Sequence, residues 1–143
     1  MGIMETQREI VQEFEQIADW KERYKRIIEL GRALPDFPDE HRLDENLVKG
    51  CQNRVWLHAS LEGDIVRFEA DSEAQIVKGL VALLLRVYSG HPPDEIIAAP
   101  PEFIQELKLG ENLTMNRANG LASMIKQMKM YAMGFKLILA RQA

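Results

Sequence analysis

Apolar residues recur with the period of a helix in the first third of the chain, and they predict two amphipathic helices. The first helix is marked by Ile10, Val11, Phe14 and Ile17. Asp19 is a preferred N-cap residue and is followed by Glu22, so a second helix is expected to begin directly after it. The apolar side of this second helix consists of Trp20, Tyr24, Ile27, Ile28 and Leu30. Pro35 and Pro38 end it and begin a polar loop.

The period changes to two in the middle of the chain, which predicts a β-hairpin. Apolar and polar residues alternate over 55–61 and again over 66–70. Residues 62–64, with the sequence Glu-Gly-Asp, form the turn between the two segments.

A further short strand is predicted just before the hairpin. Leu47 and Val48 form it, so the sheet is expected to be small and antiparallel, with about three strands. Cys51 would then lie in a loop between two strands, beside Gly50, whose missing side chain relaxes the backbone.

Helical periodicity returns after the hairpin and continues to the end of the chain. Ser72 and Gln75 resemble a capping box before a helix over 76–87, which is apolar nearly all round and is therefore expected to be buried. A short helix near 103–107 follows two prolines, and Thr114 is expected to cap a long final helix. The inward side of this last helix is predicted to carry Leu121, Met124, Ile125, Met128 and Tyr131.

The order of helices, small antiparallel sheet and helices predicts an α+β fold, with residues 1–143 in one domain. A net charge of −4 argues against a nucleic-acid-binding surface, because phosphate neutralisation dominates such binding. The N-terminus has no signal-peptide pattern, and the longest apolar run, 79–85, is too short to span a bilayer. A single cysteine suits a reducing compartment, so a cytoplasmic location is expected.

Cys51 is the candidate for chemistry, and the residues around it leave two interpretations open. A free cysteine is often a small buried hydrophobe. Here the neighbours are polar, and Lys49 and Arg54 place two cations nearby in sequence, where they would favour the reactive thiolate. Closeness in sequence does not establish contact with the sulfur, so a reactive thiol and an inert one remain equally weighted at this point.

The other residue types predict no resident metal or cofactor. The histidines at 41, 58 and 91 lack the close spacing of a metal pair, and one cysteine does not complete a zinc signature. They are interpreted as surface residues, and none is singled out as a partner for Cys51. The glycines match no phosphate-binding pattern.

Four segments resemble the SufE-type sulfur acceptors, including the related CsdE branch. The segment 47–57 contains the Gly-Cys-x-x-x-Val-Trp pattern around Cys51. The other three segments resemble the second helix, the central helix and the start of the last helix of the family, at residues 20–31, 71–80 and 117–121. The four occur in the order found in the family, which makes the resemblance specific.

The resemblance implies a function and a set of site residues. SufE-like proteins take persulfide sulfur from a pyridoxal-phosphate cysteine desulfurase of the SufS or CsdA kind, stimulate it, and pass sulfur on for iron–sulfur cluster assembly. Cys51 would be the acceptor. Arg117, Asp71 and Ser72 would lie near its loop or the partner surface. Pyridoxal phosphate would belong to the desulfurase, so the chain is expected to be an accessory protein and not an enzyme.

The family fold is similar to that of IscU-type cluster scaffolds, but those use several cysteines, and one thiol does not supply a four-thiolate cluster site. Two other classes of function stay open. One is a cysteine-dependent enzyme, such as a thiol peroxidase, acting through Cys51. The other is a protein-binding adaptor in which Cys51 is incidental.

Overall fold

The computed structural model describes residues 1–142, and its first two helices match the predicted amphipathic segments. Helix α1 is Ile3–Glu15 and α2 is Trp20–Arg32. The side chain of Asp19 accepts a hydrogen bond of 3.1 Å from the backbone N–H of Lys21, which confirms it as the N-cap of α2. The loop after α2 contains two short 3₁₀ turns, Asp39–His41 and Asp44–Asn46.

The hairpin is formed by β1, Val55–Glu62, and β2, Ile65–Ser72, and confirms the predicted alternation. The strands pair antiparallel from Val55 opposite Ser72 to Glu62 opposite Ile65. One face of the hairpin, which carries Val55, Leu57, Phe68 and Ala70, is buried in the core. The other face carries Trp56, His58, Glu69 and Asp71 and is covered by the loop that follows α2.

The predicted third strand is corrected to a single bridge. The described sheet has two strands, and Leu47 forms only an isolated antiparallel bridge with Trp56. The N–H of Val48 still donates to the carbonyl oxygen of Val55 at 2.9 Å. Gly50 then adopts a φ of +90°, which turns the chain away from β1 before a strand can extend.

The predicted cap at Ser72 is also corrected, because Ser72 is the last residue of β2. Helix α3 runs from Gln75 to Tyr88 and has Ala74 at the N-cap position. The hydroxyl of Ser72 accepts from the N–H of Ala74 at 3.3 Å and donates to the carbonyl oxygen of Arg54 at 2.9 Å. Ser72 therefore joins the end of the hairpin to the segment that follows Cys51.

Helix α3 is the central helix, as its apolar sequence predicts. It packs against α1, α2, α7 and β2. Leu80, Leu83, Leu84 and Val87 are almost completely buried. Its contact with α2 is backbone to backbone, because Gly31 and Gly79 face each other at the crossing. A Cβ added to Gly31 would lie 2.7 Å from the amide nitrogen of Gly79.

Three short helices and one long helix complete the described chain. They are α4, Pro93–Ala98; α5, Glu102–Glu106; α6, Leu109–Asn112; and α7, Met115–Gln142. The predicted helix near 103–107 corresponds to α5. The hydroxyl of Thr114 accepts a hydrogen bond of 3.3 Å from the N–H of Arg117, which confirms the predicted cap of α7.

Helix α7 buries three of the five residues predicted to face inward, and the other two, Ile125 and Tyr131, are half-buried. Leu121, Met124 and Met128 are buried, whereas Met130 and Met133 are exposed. Within residues 1–142, no helix combines the length and the apolar character needed to cross a membrane. The architecture is α+β, as predicted.

Candidate functional site: the Cys51 pocket

Cys51 lies in a tight turn that rests on the beginning of α7. Gly50 makes this placement possible, because its positive φ strains any other residue and an added Cβ would lie 2.6 Å from the hydroxyl oxygen of Ser123. The Cys51 S–H donates to the carbonyl oxygen of Gly120, with a sulfur–oxygen distance of 3.6 Å. A Cβ on Gly120 would lie 3.4 Å from that sulfur, which is close van der Waals contact, so the thiol packs directly against the helix at this residue.

A pocket of about 280 Å³ opens beside the sulfur. Residues 51–53 line it from the loop, and Asn116 and Arg117 line it from the start of α7. Val77 and Met124 add a buried apolar part of the lining. The cavity is large enough to admit a few side-chain-sized groups. Its polar rim is formed by the loop residues 51–53 and by Asn116 and Arg117 of α7.

The rim of the pocket is held together by a side-chain hydrogen bond. The amide nitrogen of Asn116 donates to the side-chain oxygen of Gln52 at 2.7 Å, which links the loop to the first turn of α7. Gln52, Asn53, Asn116 and Gly120 were not among the predicted site residues. Gly120 belongs to the Arg-x-x-Gly-Leu pattern at 117–121, which was the available signal for it. Asn116 has no comparable signal, because its role depends on how the loop docks on α7.

The flanking cations do not lie where their sequence positions suggest. Arg54 forms an ion pair with Glu73, with its Nε 2.7 Å from the carboxylate, and lies over the ring of Trp56. Lys49 lines a separate surface depression that includes Ser123 and Lys126. Among the described residues that line the Cys51 pocket, the cation is Arg117.

Burial sets the protonation of the thiol. Cys51 is half-buried, and desolvation raises its pKa above the ordinary cysteine value, since a thiolate loses hydration there. The expectation that Lys49 and Arg54 favour the thiolate therefore does not describe the resting state. The protein holds Cys51 as a protonated thiol, donating to Gly120.

Asp71 and Ser72 brace the site from outside the pocket. The carboxylate of Asp71 contacts Arg42 at 2.6 Å and Lys78 at 3.3 Å. Burial disfavours the ionised form, but hydrogen bonds from Arg42, the backbone of Ser72 and Lys78 outweigh it and hold the pKa of Asp71 below its usual value. Through the bond from Ser72 to the Arg54 carbonyl, this cluster fixes the strand end after Cys51.

The model of the family described as "SufE: Fe-S metabolism associated domain" matches residues 8–132, which is most of the chain. The chain belongs to the SufE family. It is therefore a SufE-like protein of iron–sulfur metabolism, and the family resemblance at the four segments is confirmed.

Curated relatives are similar over most of their length. An uncharacterized SufE-like protein of Rhizobium etli is 45% identical over 126 residues, covering 85% of this chain and 85% of the relative. A SufE-like protein of Synechocystis is 39% identical over 128 residues, covering 90% of this chain and 80% of the relative.

A solved structure shows the same fold. The solution structure of a hypothetical protein from Thermus thermophilus superimposes with a TM-score of 0.77 at 23% identity, covering 92% of this chain and 96% of that one. At this identity the similarity concerns the fold alone.

A second group of chemically capable side chains lies away from the pocket. Within residues 1–142, His41, His58 and Glu69 are the group whose potential ligand atoms come together, all within 4.8 Å of one another. Their sequence spacing gave no reason to associate them, since they come from the loop and from two strands.

The raised pKa of Cys51 predicts a shifted pH profile of alkylation. Because burial favours the neutral thiol, the folded protein should stay protonated at pH values where a free cysteine is already a thiolate. The midpoint of the iodoacetamide rate against pH is expected to be higher for native protein than for the same chain in urea. Cys51 is the sole cysteine, so loss of free thiol reports it alone. Coincident midpoints would contradict the effect of burial.

Proposed function

We propose that this SufE-like protein is a sulfur carrier that accepts persulfide sulfur on Cys51 from a pyridoxal-phosphate cysteine desulfurase. It stimulates that enzyme and passes the sulfur to an iron–sulfur scaffold or another acceptor protein. The observation that carries the proposal is the placement of the lone thiol. Cys51 lies at the edge of an open pocket, on a loop, with one hydrogen bond to the backbone of α7.

The transfer is a thiol-exchange reaction that needs no external oxidant or reductant. The Cys51 thiolate attacks the outer sulfur of the donor persulfide, and a new sulfur–sulfur bond forms on Cys51. The bond between the two donor sulfurs breaks, and the donor cysteine leaves as a thiolate. The proton lost by Cys51 on activation balances the one needed by the leaving thiolate. Delivery to the next protein repeats the same exchange.

The resting thiol must be activated before it attacks, because its pKa is raised. Docking of a partner that draws the loop away from α7 would break the contact with Gly120 and increase the hydration of the sulfur. A loop with an inward and an outward arrangement would protect the Cys51 sulfur against α7 in the first and present it to a partner protein in the second. A peroxidase depends on a cysteine that is a thiolate in the resting protein, so the raised pKa of Cys51 favours a carrier over a peroxidase.

Arg117 is the residue best placed to support the reaction electrostatically. It is exposed at the pocket rim and, among residues 1–142, forms no ion pair. Its guanidinium would attract the negative sulfur of an incoming persulfide or the activated thiolate. The Cys51 loop is supported from outside the pocket by Asp71, Ser72 and Arg54. The hydroxyl of Ser72 donates a hydrogen bond to the carbonyl oxygen of Arg54 and so fixes the end of the loop. Lys49 is exposed beside the loop, where it is available to the partner surface.

Arg117 and Arg54 provide a matched comparison, because Arg117 lines the Cys51 pocket and Arg54 is paired with Glu73. Arg117→Ala is expected to slow sulfur transfer by roughly tenfold, the effect of about 1.4 kcal/mol of lost charge stabilisation. Arg54→Ala removes the same charge from a residue held by Glu73 and should change the rate less than Arg117→Ala. The measurement is the single-turnover rate of transfer from a persulfide-loaded desulfurase. A larger effect at Arg54 would contradict the assignment of Arg117.

The proposal is tested by incubating the protein with a cysteine desulfurase and free cysteine, and then weighing it intact by mass spectrometry. The expected result is a gain of one sulfur, about 32 Da, that a thiol reductant removes. The desulfurase rate measured in parallel should rise when the protein is added. Desulfurases of both the SufS and the CsdA kind are tried. No mass gain with either kind would overturn the proposal.

A further inference from the structure

His41, His58 and Glu69 converge on the outer face of the hairpin. His58 of β1 lies directly opposite Glu69 of β2 in the strand register. His41 is supplied by the 3₁₀ turn Asp39–His41, and its ring stacks on that of His58 with centroids 3.7 Å apart and planes 11° apart. The three residues therefore bring two nitrogen ligands and one carboxylate to one place.

The nitrogens that face the carboxylate have no hydrogen-bond partner among the described residues. The Nδ1 atoms of both histidines are buried and unpaired. They lie 3.8 Å and 3.6 Å from one carboxylate oxygen of Glu69, which is beyond hydrogen-bond length. Buried polar atoms are normally paired, so two adjacent unpaired nitrogens aimed at one carboxylate need an explanation.

We propose that His41, His58 and Glu69 form a binding site for a divalent transition-metal ion, with Zn²⁺ as the best chemical match. Two imidazoles and one carboxylate are a known protein ligand set for zinc, with the fourth position left to water. Neutral imidazole favours zinc and its neighbours in the transition series over calcium or magnesium. The ion would bond to both unpaired nitrogens.

The distances agree with this ligand set. A tetrahedral zinc ion with bonds of about 2.1 Å separates its ligand atoms by roughly 3.4 Å. The Nδ1-to-carboxylate separations of 3.6 Å and 3.8 Å need to shorten by only a few tenths of an ångström. The stacked rings must also rotate apart on binding, because an imidazole nitrogen binds a metal in the plane of its ring and two nearly parallel planes do not share one ion. The side chain of Glu69 is 47% exposed, so it is free to make this adjustment.

The surroundings hold the ligands in place. The amide of Asn46 donates to the carbonyl oxygen of His41 at 2.8 Å, and Phe37 packs edge-on against the His41 ring. Next to His41, Arg42 pairs with Asp71 and lies over the ring of Trp56. The turn that carries His41 is thus anchored to the hairpin by contacts independent of the ion, so binding needs only a rotation of side chains and no movement of the backbone.

The ion would join the loop after α2 to the hairpin, so it should stabilise the folded state. Binding to the native state alone raises the thermal midpoint, by roughly 5–10 °C at a zinc concentration 100 times the dissociation constant. This role is independent of sulfur transfer and does not use Cys51.

The test is a calorimetric titration of the tag-free, chelator-treated protein with Zn²⁺, carried out in the Cys51→Ser background so that the thiol does not contribute. One ion per chain is expected, together with the rise in thermal midpoint. His58→Gln, His41→Gln and Glu69→Gln should each weaken binding by at least tenfold. Glu69→Gln keeps the size of the side chain and guards against an effect of misfolding.

His91→Gln is the matched control, because His91 is the third histidine of the chain and lies outside the cluster. It should bind zinc as the parent does. Absence of binding, or binding that survives all three ligand substitutions, would overturn the proposal. Neither result would affect the sulfur-loading experiment, which has its own readout.

Discussion

Replacing Cys51 by serine is expected to abolish sulfur loading completely. A serine oxygen does not form the sulfur–sulfur bond that the exchange requires, and the chain has no second thiol to take over. The gain of about 32 Da seen after incubation with desulfurase and cysteine should therefore disappear. The increase in desulfurase rate should be lost as well, to the extent that it depends on removal of sulfur from the enzyme.

The fold of this variant should be retained. Serine is slightly smaller than cysteine, and at this half-buried position its hydroxyl has access to water, although its shorter C–O bond leaves it beyond hydrogen-bond distance of the Gly120 carbonyl oxygen. Its thermal midpoint should thus lie within a few degrees of the parent, about 1 kcal/mol or less in stability. A native-like Cys51→Ser protein that still gained a reducible sulfur would refute Cys51 as the acceptor. A variant that still acts normally in cluster assembly would support the adaptor alternative instead.

The Gly79→Ala variant is expected to lose roughly 3 kcal/mol of unfolding free energy, a large part of the stability of a domain of this size. The added Cβ would lie 2.5 Å from Cγ2 of Ile27 and 2.6 Å from its carbonyl carbon. Alanine favours helix by about 1 kcal/mol, but α2 and α3 would have to separate along a buried contact. The clash therefore outweighs the gain in helix propensity.

Urea unfolding followed by circular dichroism measures this loss. Gly110→Ala in α6 is the matched control, since an added Cβ meets no atom within 4 Å. It should change the unfolding free energy by about 1 kcal/mol or less, toward stability. Equal unfolding midpoints for Gly79→Ala and the parent would show that the two helices are not in close backbone contact.

Local periodicity was sufficient to predict most of the secondary structure. Alternation over 55–61 and 66–70 identified the hairpin, helical spacing located α3, and helical spacing with the caps Asp19 and Thr114 located α2 and α7. The third strand was not predictable in the same way. Leu47 and Val48 look like a strand, but their pairing ends after one bridge because Gly50 turns the chain.

The site was predictable in part. The family resemblance identified Cys51 and Arg117, which the fold brings to one pocket. The directions of Lys49 and Arg54 were not predictable, since a turn at positive φ sends neighbouring side chains to different sides, and Arg54 meets Glu73. The pairing of His58 with Glu69 depends on a two-residue turn, because Glu62 belongs to β1 and lies opposite Ile65, whereas the predicted turn at 62–64 would place His58 opposite Phe68. The approach of His41 depends on loop packing, which no local pattern encodes.

The half-buried setting of the Cys51 sulfur against α7 has a consequence for a carrier with a single thiol. Such a chain has no neighbouring cysteine with which to expel its cargo as sulfide by closing an internal disulfide. One way to lose the proposed cargo is a collision between a loaded and an unloaded copy, which would yield a disulfide-crosslinked pair and free sulfide. In the proposed carrier, a sulfur held against α7 is shielded from such a collision and is expected to react only after a partner opens the loop.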